Sequence, residues 1–254
     1  MKRILLSFVA LGVLALATPA MGADLAVKSP PPVAPVYDWT GIWFGGFGGY
    51  AYGNHNLNNA LGFQPVGFSN YTANWESHGP FGGGEIGYYW QTGQFVWGIA
   101  GDFAGTNING TDNGALGQAG NLQGPAGNVL IIDSNKLKWL GSLSVSGGIA
   151  VDRLMLYFKG GWAAGDITHT DINPGVATDT FTVHRSGLVA GGGLAYAITN
   201  NVIGKIEYRY YDLGTYHRDT PTNGVLPYTV TATYSTVVLG LDFKFGAAPI
   251  IGKY

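Results

Sequence analysis

Three groups of residues in this 254-residue chain have types and spacings that could do chemistry. His184 and Ser186 form a His-x-Ser pair, a base two residues from a hydroxyl, which is the start of a nucleophilic acyl-transfer site. That chemistry also needs a carboxylate to orient the imidazole, and Glu207 stands far along another strand with its side chain assigned to an interior. His55, His78, His169, His184 and His217, helped by Asp171 and Asp179, could capture a metal ion. Their spacing matches no metal motif, however, and His residues in or beside loops are ordinarily solvated. Gly82, Gly84 and Gly87 spell GxGxxG, but this cradles a phosphate only where a strand leads into a helix, and no helix follows. Small-residue requirements inside a tightly curved barrel explain these Gly better. With no Cys there are no disulfides, thiol catalysis or Cys-based metal sites. The expectation is a protein that is not an enzyme, with no catalytic residue, cofactor or metal.

The elements that must position these residues follow from composition. The chain has 42 Gly, 46% hydrophobic and 13% aromatic residues, but only 11% charged ones. Gly disfavours helices, and the apolar content argues against disorder, so what survives is a β-rich, aromatic chain. Fifteen acidic residues against thirteen basic give no reason to expect nucleic acid.

Met1, Lys2 and Arg3 precede an apolar run from Ile4 to Ala17, with small residues at Ala20, Gly22 and Ala23. This reads as a signal peptide over residues 1–22, too short to span a bilayer as a helix. Its removal leaves a net charge of −4. Residues 23–38 read as a Pro-rich periplasmic linker, 39–245 as one barrel domain and 246–254 as a tail.

Eight strand-length segments occupy about 39–52, 81–91, 94–105, 136–150, 153–166, 186–198, 201–214 and 232–245. Thr92-Gly93, Val151-Asp152 and Thr199-Asn200 are two-residue connections, as in hairpin turns. They alternate with long connections at 53–80, 106–135, 167–185 and 215–231, so tight turns leave one end of the sheet and long loops the other. This predicts an all-β fold, an eight-stranded antiparallel up-and-down transmembrane β-barrel with short periplasmic turns and four long extracellular loops.

Period-two alternation agrees. Phe95, Trp97, Ile99 and Phe103 oppose Val96, Gly98, Ala100 and Asp102, and Ile206, Tyr208 and Tyr210 oppose Lys205, Glu207 and Arg209. A soluble sandwich would turn the apolar face inward. The membrane reading instead accounts for an aromatic girdle at strand ends, with Trp90, Trp97 and Tyr196 near the tight turns and Trp139, Trp162 and Tyr210 toward the long loops. It also accounts for an opposite face of Gly, Ala and Ser bearing balanced charges. Glu85, Asp102, Glu207 and Asp242 stand against Lys159, Lys205, Arg209 and Lys244 as an interior charge network.

WTGIWFGGFGGYAYG at 39–53, SLSVSGGIAVDRLMLYFKGGWAAGD at 142–166, GLVAGGGLAYAITNNVIGKIEYRYYDLGTY at 187–216 and VVLGLDFKF at 237–245 resemble alphaproteobacterial outer-membrane β-barrel proteins, the RopB-like and opacity-protein-like group. The resemblance implies insertion by the outer-membrane assembly machinery, and Gly240, Phe243 and Phe245 match the terminal assembly signal of such barrels. The chain departs from that pattern by continuing through GAAPIIGKY. The His184/Ser186 pair is similar to that of barrel lipid-A deacylases. The implied function is a structural, surface-exposed protein of the cell outer membrane that supports envelope integrity and displays loops, with a porin-like narrow channel as the alternative. Expected partners are outer-membrane lipid and lipopolysaccharide, the assembly machinery, and a host or surface ligand for the loops.

Overall fold

A computed structural model describes residues 37–58, 72–112, 123–124, 127–128, 132–173, 177–218 and 228–246. Eight long strands form: β1 (Gly41–Asn58), β2 (Thr72–Thr92), β3 (Phe95–Asp112), β4 (Ile132–Val151), β5 (Leu154–Asn173), β6 (Ala177–Ala197), β7 (Val202–Arg218) and β8 (Tyr228–Lys244). Each pairs antiparallel with its neighbours in the chain, and β8 returns to β1 in register from Trp43↔Lys244 to Asn58↔Thr229. The barrel is therefore closed and leaves no strand edge unpaired. Two-residue strands at Gln123–Gly124 and Gly127–Asn128 form a separate small ladder.

Alternation places Trp43, Phe47, Ala51 and His55 of β1 in the lumen and Ile42, Phe44, Tyr50 and Tyr52 outside. The outer surface stays apolar from Ile42 to Tyr52 on β1, Phe95 to Phe103 on β3, Leu154 to Trp162 on β5 and Phe245 back to Val237 on β8. That height suits tilted strands crossing a hydrocarbon layer.

The strands run further than the sequence reading placed them, always toward the long loops. β5 and β6 stay paired out to Asn173↔Ala177, so most of 167–185, expected as a long loop, is strand. Apolar alternation ends where lipid ends, but strand pairing does not. Outward Thr and Asn continue the ladder through cross-strand pairs such as Thr168–Thr182 at 2.9 Å and Thr215–Thr231 at 2.8 Å. Register irregularities at Gly105/Ile108, Leu137/Trp139 and Thr231/Thr233 mark the change from apolar belt to polar extension.

Two of the tight turns lie one residue later than expected, at Gly93-Gln94 and Asp152-Arg153, and the third spans 198–201. The first residue of each two-residue turn takes the left-handed conformation, with φ of +62° at Gly93 and +51° at Asp152. The Thr199 hydroxyl closes the third by accepting the Asn201 and Val202 N–H groups at 3.2 and 3.0 Å.

Residues ahead of β1 lie across this turn end. Trp39 donates its backbone N–H to Gln91 Oε1 at 2.8 Å and its indole N–H to the Asp152 carbonyl at 3.1 Å, while Tyr37 N–H reaches Asp152 Oδ1 at 3.2 Å. Both rings are buried.

Candidate functional site

The lumen is filled in layers along the barrel axis. Nearest the turns is an apolar and aromatic layer that includes Trp39, Trp43, Tyr89, Met155, Tyr157 and Ile203. Charged side chains follow, and above them a second apolar layer that includes Phe47, Phe81, Leu140, Ile167, Tyr211 and Val238.

In the charged layer Lys205 lies 2.7 Å from Glu85 and 3.1 Å from Asp242. Lys159 lies 3.7 Å from Glu207 and 3.9 Å from Asp102. Arg209 sits between Glu85 at 3.4 Å and Asp102 at 3.6 Å and donates to Glu207. The Tyr157 hydroxyl also donates to Glu207, and Ser142 to Asp102. Lys205 and Arg209 rest over the Trp43 and Phe47 rings at 4.6 and 4.9 Å.

Lys244, expected as the eighth member, is not in this network. Its lumen-facing parity holds, but it lies one pleat nearer the turns than Asp242, where its ammonium meets the Asp38 carbonyl and the Tyr37 ring at 4.4 Å. Four carboxylates thus face three cations in the network, rather than four facing four. Its glycines have a steric cause: a Cβ on Gly45 would overlap the Asp242 carboxylate, and one on Gly240 would come within 2.7 Å of Lys205 Cε. Gly82 and Gly84 depart from the interior role expected of them. They point outward, and only Gly87 of that motif faces a crowded lumen, against the Trp43 ring.

A polar layer closes the loop end. All five His lie in strands rather than loops, and His55 and His169 are inside the lumen, each 1% exposed. His55 hydrogen-bonds Ser77 at 2.9 Å and stacks on Trp75, and His169 stacks on Phe181. Burial, reinforced by the nearby Arg185 charge, lowers both imidazoles to a pKa of about 3. Arg185, also buried, donates to the Gly214 and Val230 carbonyls. Among the described residues no group of three or more potential ligands could hold a metal ion. The Asp171 and Asp179 side chains fall outside what is described.

At the outer rim the structure supplies a carboxylate that sequence reasoning missed. Asp166 on β5 is the register partner of His184 on β6, and their side chains meet at 2.8 Å. Hydrogen bonds from His184 and Trp139 hold the Asp166 carboxyl below its ordinary pKa. Parity turns both residues outward, and the register that sets Asn173 opposite Ala177 pairs 166 with 184. Ser186 shares that outer face, and no hydrogen bond joins it to His184 in the structure.

The remaining sequence-selected residues lie on the outside. Trp90, Trp97, Trp162, Tyr196 and Tyr210 are 41–59% exposed, and Trp139 is half-buried against Phe103 at 5.5 Å. Phe243 and Phe245 face outward and cluster with Phe44, whereas Gly240 faces the lumen.

The chain is 33% identical over 262 residues to the 31 kDa outer-membrane immunogenic protein of Brucella melitensis, covering 96% of this chain and 100% of the relative. It belongs to this family of alphaproteobacterial outer-membrane proteins. The 22 kDa outer membrane protein of Rhizobium leguminosarum bv. viciae is 27% identical over 216 residues, covering 84% of this chain and 82% of the relative. Among solved structures, the outer membrane protein OprG from Pseudomonas aeruginosa covers 83% of this chain and 99% of its own at 15% identity, with a TM-score of 0.52, and shares the fold. No family model matches the chain. As a member of this outer-membrane family, the protein is a surface barrel of the outer membrane, and its apolar belt is the surface that meets lipid.

Proposed function

We propose that the protein is a structural, surface-displaying barrel that supports envelope integrity and needs no catalytic chemistry. The carrying observation is the layered lumen. Charges that could line a water path are held between two apolar layers, with Arg209 fully buried and Trp39 and Tyr37 lying across the turn end. An eight-stranded barrel has an interior just wide enough for side chains to fill, and these fill it. The unlinked Ser186 supports a role without acyl transfer. Reconstitution of the purified barrel in planar bilayers tests this directly: the expected trace shows no discrete steps above background. Reproducible open-channel steps would establish the narrow-channel alternative.

The same reading takes residues 1–22 as a cleaved signal, 23–38 as a periplasmic linker and residues beyond the strand ends as surface loops open to a host or surface ligand. It takes Gly240, Phe243 and Phe245 as the signal read by the assembly machinery. The mass of the mature chain from outer membranes tests cleavage after Gly22.

A further inference from the structure

The outer face over β3–β6 differs from the rest of the belt. Outward Gly101 and Gly141 leave the backbone uncovered between Leu143, Trp139 and Trp162, making a groove of about 270 Å³ beneath His184. It shares Gly101 and Leu143 with a second groove of about 530 Å³ that runs down the belt past Ile99, Val145 and Gly160. Packing does not require Gly160 to be Gly, because a Cβ there would meet nothing closer than the Val189 carbonyl at 3.8 Å.

Charge is focused at the mouth of this groove. Segments 59–71, 113–131, 174–176 and 219–227 contain no Lys or Arg. Arg185 and Arg218 occupy lumen-facing positions, and Arg153 lies in a tight turn. Among the described residues, the lysines on the outer surface of the loop end are Lys136 and Lys138, two residues apart on β4. Lys138 Nζ reaches across β5 to the Thr182 hydroxyl at 3.3 Å, and His184 lies against the Trp139 ring at 5.6 Å. The Asp166 carboxylate is turned to His184 at 2.8 Å. An apolar slot bounded by Trp139 and His184, with Lys136 and Lys138 further along the same outward face of β4, complements a lipid that carries both phosphate and acyl chains.

We propose that this face is a binding site for one molecule of lipopolysaccharide, with a phosphate on Lys136 and Lys138 beside His184 and one acyl chain in the groove. The assignment rests on the reading of the loop end as extracellular, which places the groove in the outer leaflet. Neighbouring positively charged side chains at a membrane surface attract anionic headgroups, and filling an apolar slot with a chain adds contact along its length.

The test uses the full mature barrel, purified in detergent and followed by native mass spectrometry with three probes: deep-rough lipopolysaccharide, its dephosphorylated form and phosphatidylglycerol. The expected result is one lipopolysaccharide retained per barrel, with the other two probes about tenfold weaker or more. K136Q/K138Q and, separately, G160L are each expected to lower retention about tenfold while keeping heat-modifiable gel migration. Equal retention by wild type and both variants, or equal binding of all three probes, overturns the proposal, since lipid would then merely fill the detergent belt. Loss of this binding in a barrel that stays silent in planar bilayers would leave the structural reading standing. Conductance steps in a barrel that still retains lipopolysaccharide would overturn only the structural reading.

Discussion

Arg209 is the residue on which the buried charges converge. Removing one partner of a buried ion network leaves the others uncompensated in a low dielectric. Arg209→Met is therefore expected to destabilise the barrel by about 3–5 kcal/mol, measured by urea unfolding in lipid vesicles. The two lumenal imidazoles act through pH. Their pKa of about 3 lies below the ordinary 6.5, so the folded barrel favours their neutral form. Their contribution is complete above about pH 6.5 and is lost as pH falls toward about 3. At pH 5 the loss is about 2 kcal/mol for each imidazole, in surroundings that already hold the Arg185 and Arg218 charges. His55→Phe with His169→Phe is expected to flatten the fall in melting temperature between pH 7 and 5, read by gel migration of heated samples. A fall as steep as that of wild type would place the acid sensitivity elsewhere. Neither imidazole could be identified as buried from its neighbours in sequence, because both lie beyond the apolar belt, where polar residues ordinarily meet water.

At the scale of elements, β8 and the segment ahead of β1 carry the testable claims. Phe245 N–H still bonds the Ile42 carbonyl at 2.8 Å, so pairing with β1 continues past the last assigned strand residue. Residues 247–254 of the tail lie outside the described residues. If the assembly signal is in β8, deletion of 246–254 is expected to leave outer-membrane insertion intact, measured as heat-modifiable protein in the membrane fraction. Failure to insert would assign the signal to the tail. At the opposite end of the chain, Trp39→Ala removes a fully buried ring and its hydrogen bond to the Asp152 carbonyl, and is expected to cost about 3–5 kcal/mol. Strand number and parity were legible because lipid forces one face of every strand to be apolar. Strand length was not, since the Thr- and Asn-bearing extensions pair by hydrogen bonds that an apolarity pattern does not register.

For the molecule as a whole, the membrane inverts the usual relation between burial and hydropathy. Leu143, Val145 and Leu239 are 62–64% exposed on the outer belt, while Arg209 and Lys244 are fully buried. Leu239→Arg is expected to destabilise the inserted barrel by about 2–4 kcal/mol, the cost of a cation near the bilayer midplane. Lys159→Leu, inside, would instead remove one of the cations shared by Asp102 and Glu207 and leave both to Arg209. If Leu239→Arg were silent in vesicle unfolding, the belt assigned here would not face lipid. The layered lumen is also a property of the whole ring: six of the eight strands contribute a side chain to the ion network or its hydrogen-bonded shell, and β1 adds the Trp43 and Phe47 rings beneath Lys205 and Arg209.

By itself the sequence determined that the chain is a closed, outward-apolar barrel of eight strands, because alternation, turn spacing and charge scarcity are local quantities that lipid and strand closure jointly constrain. It also identified seven of the residues that meet in the lumen, since parity alone turns them inward. Tertiary structure decided what parity cannot: height along the barrel axis and the neighbour across it. That is why Lys244 pairs with the Asp38 carbonyl instead of joining the network, why Asp166 meets His184, and why Lys138 reaches across β5 to Thr182.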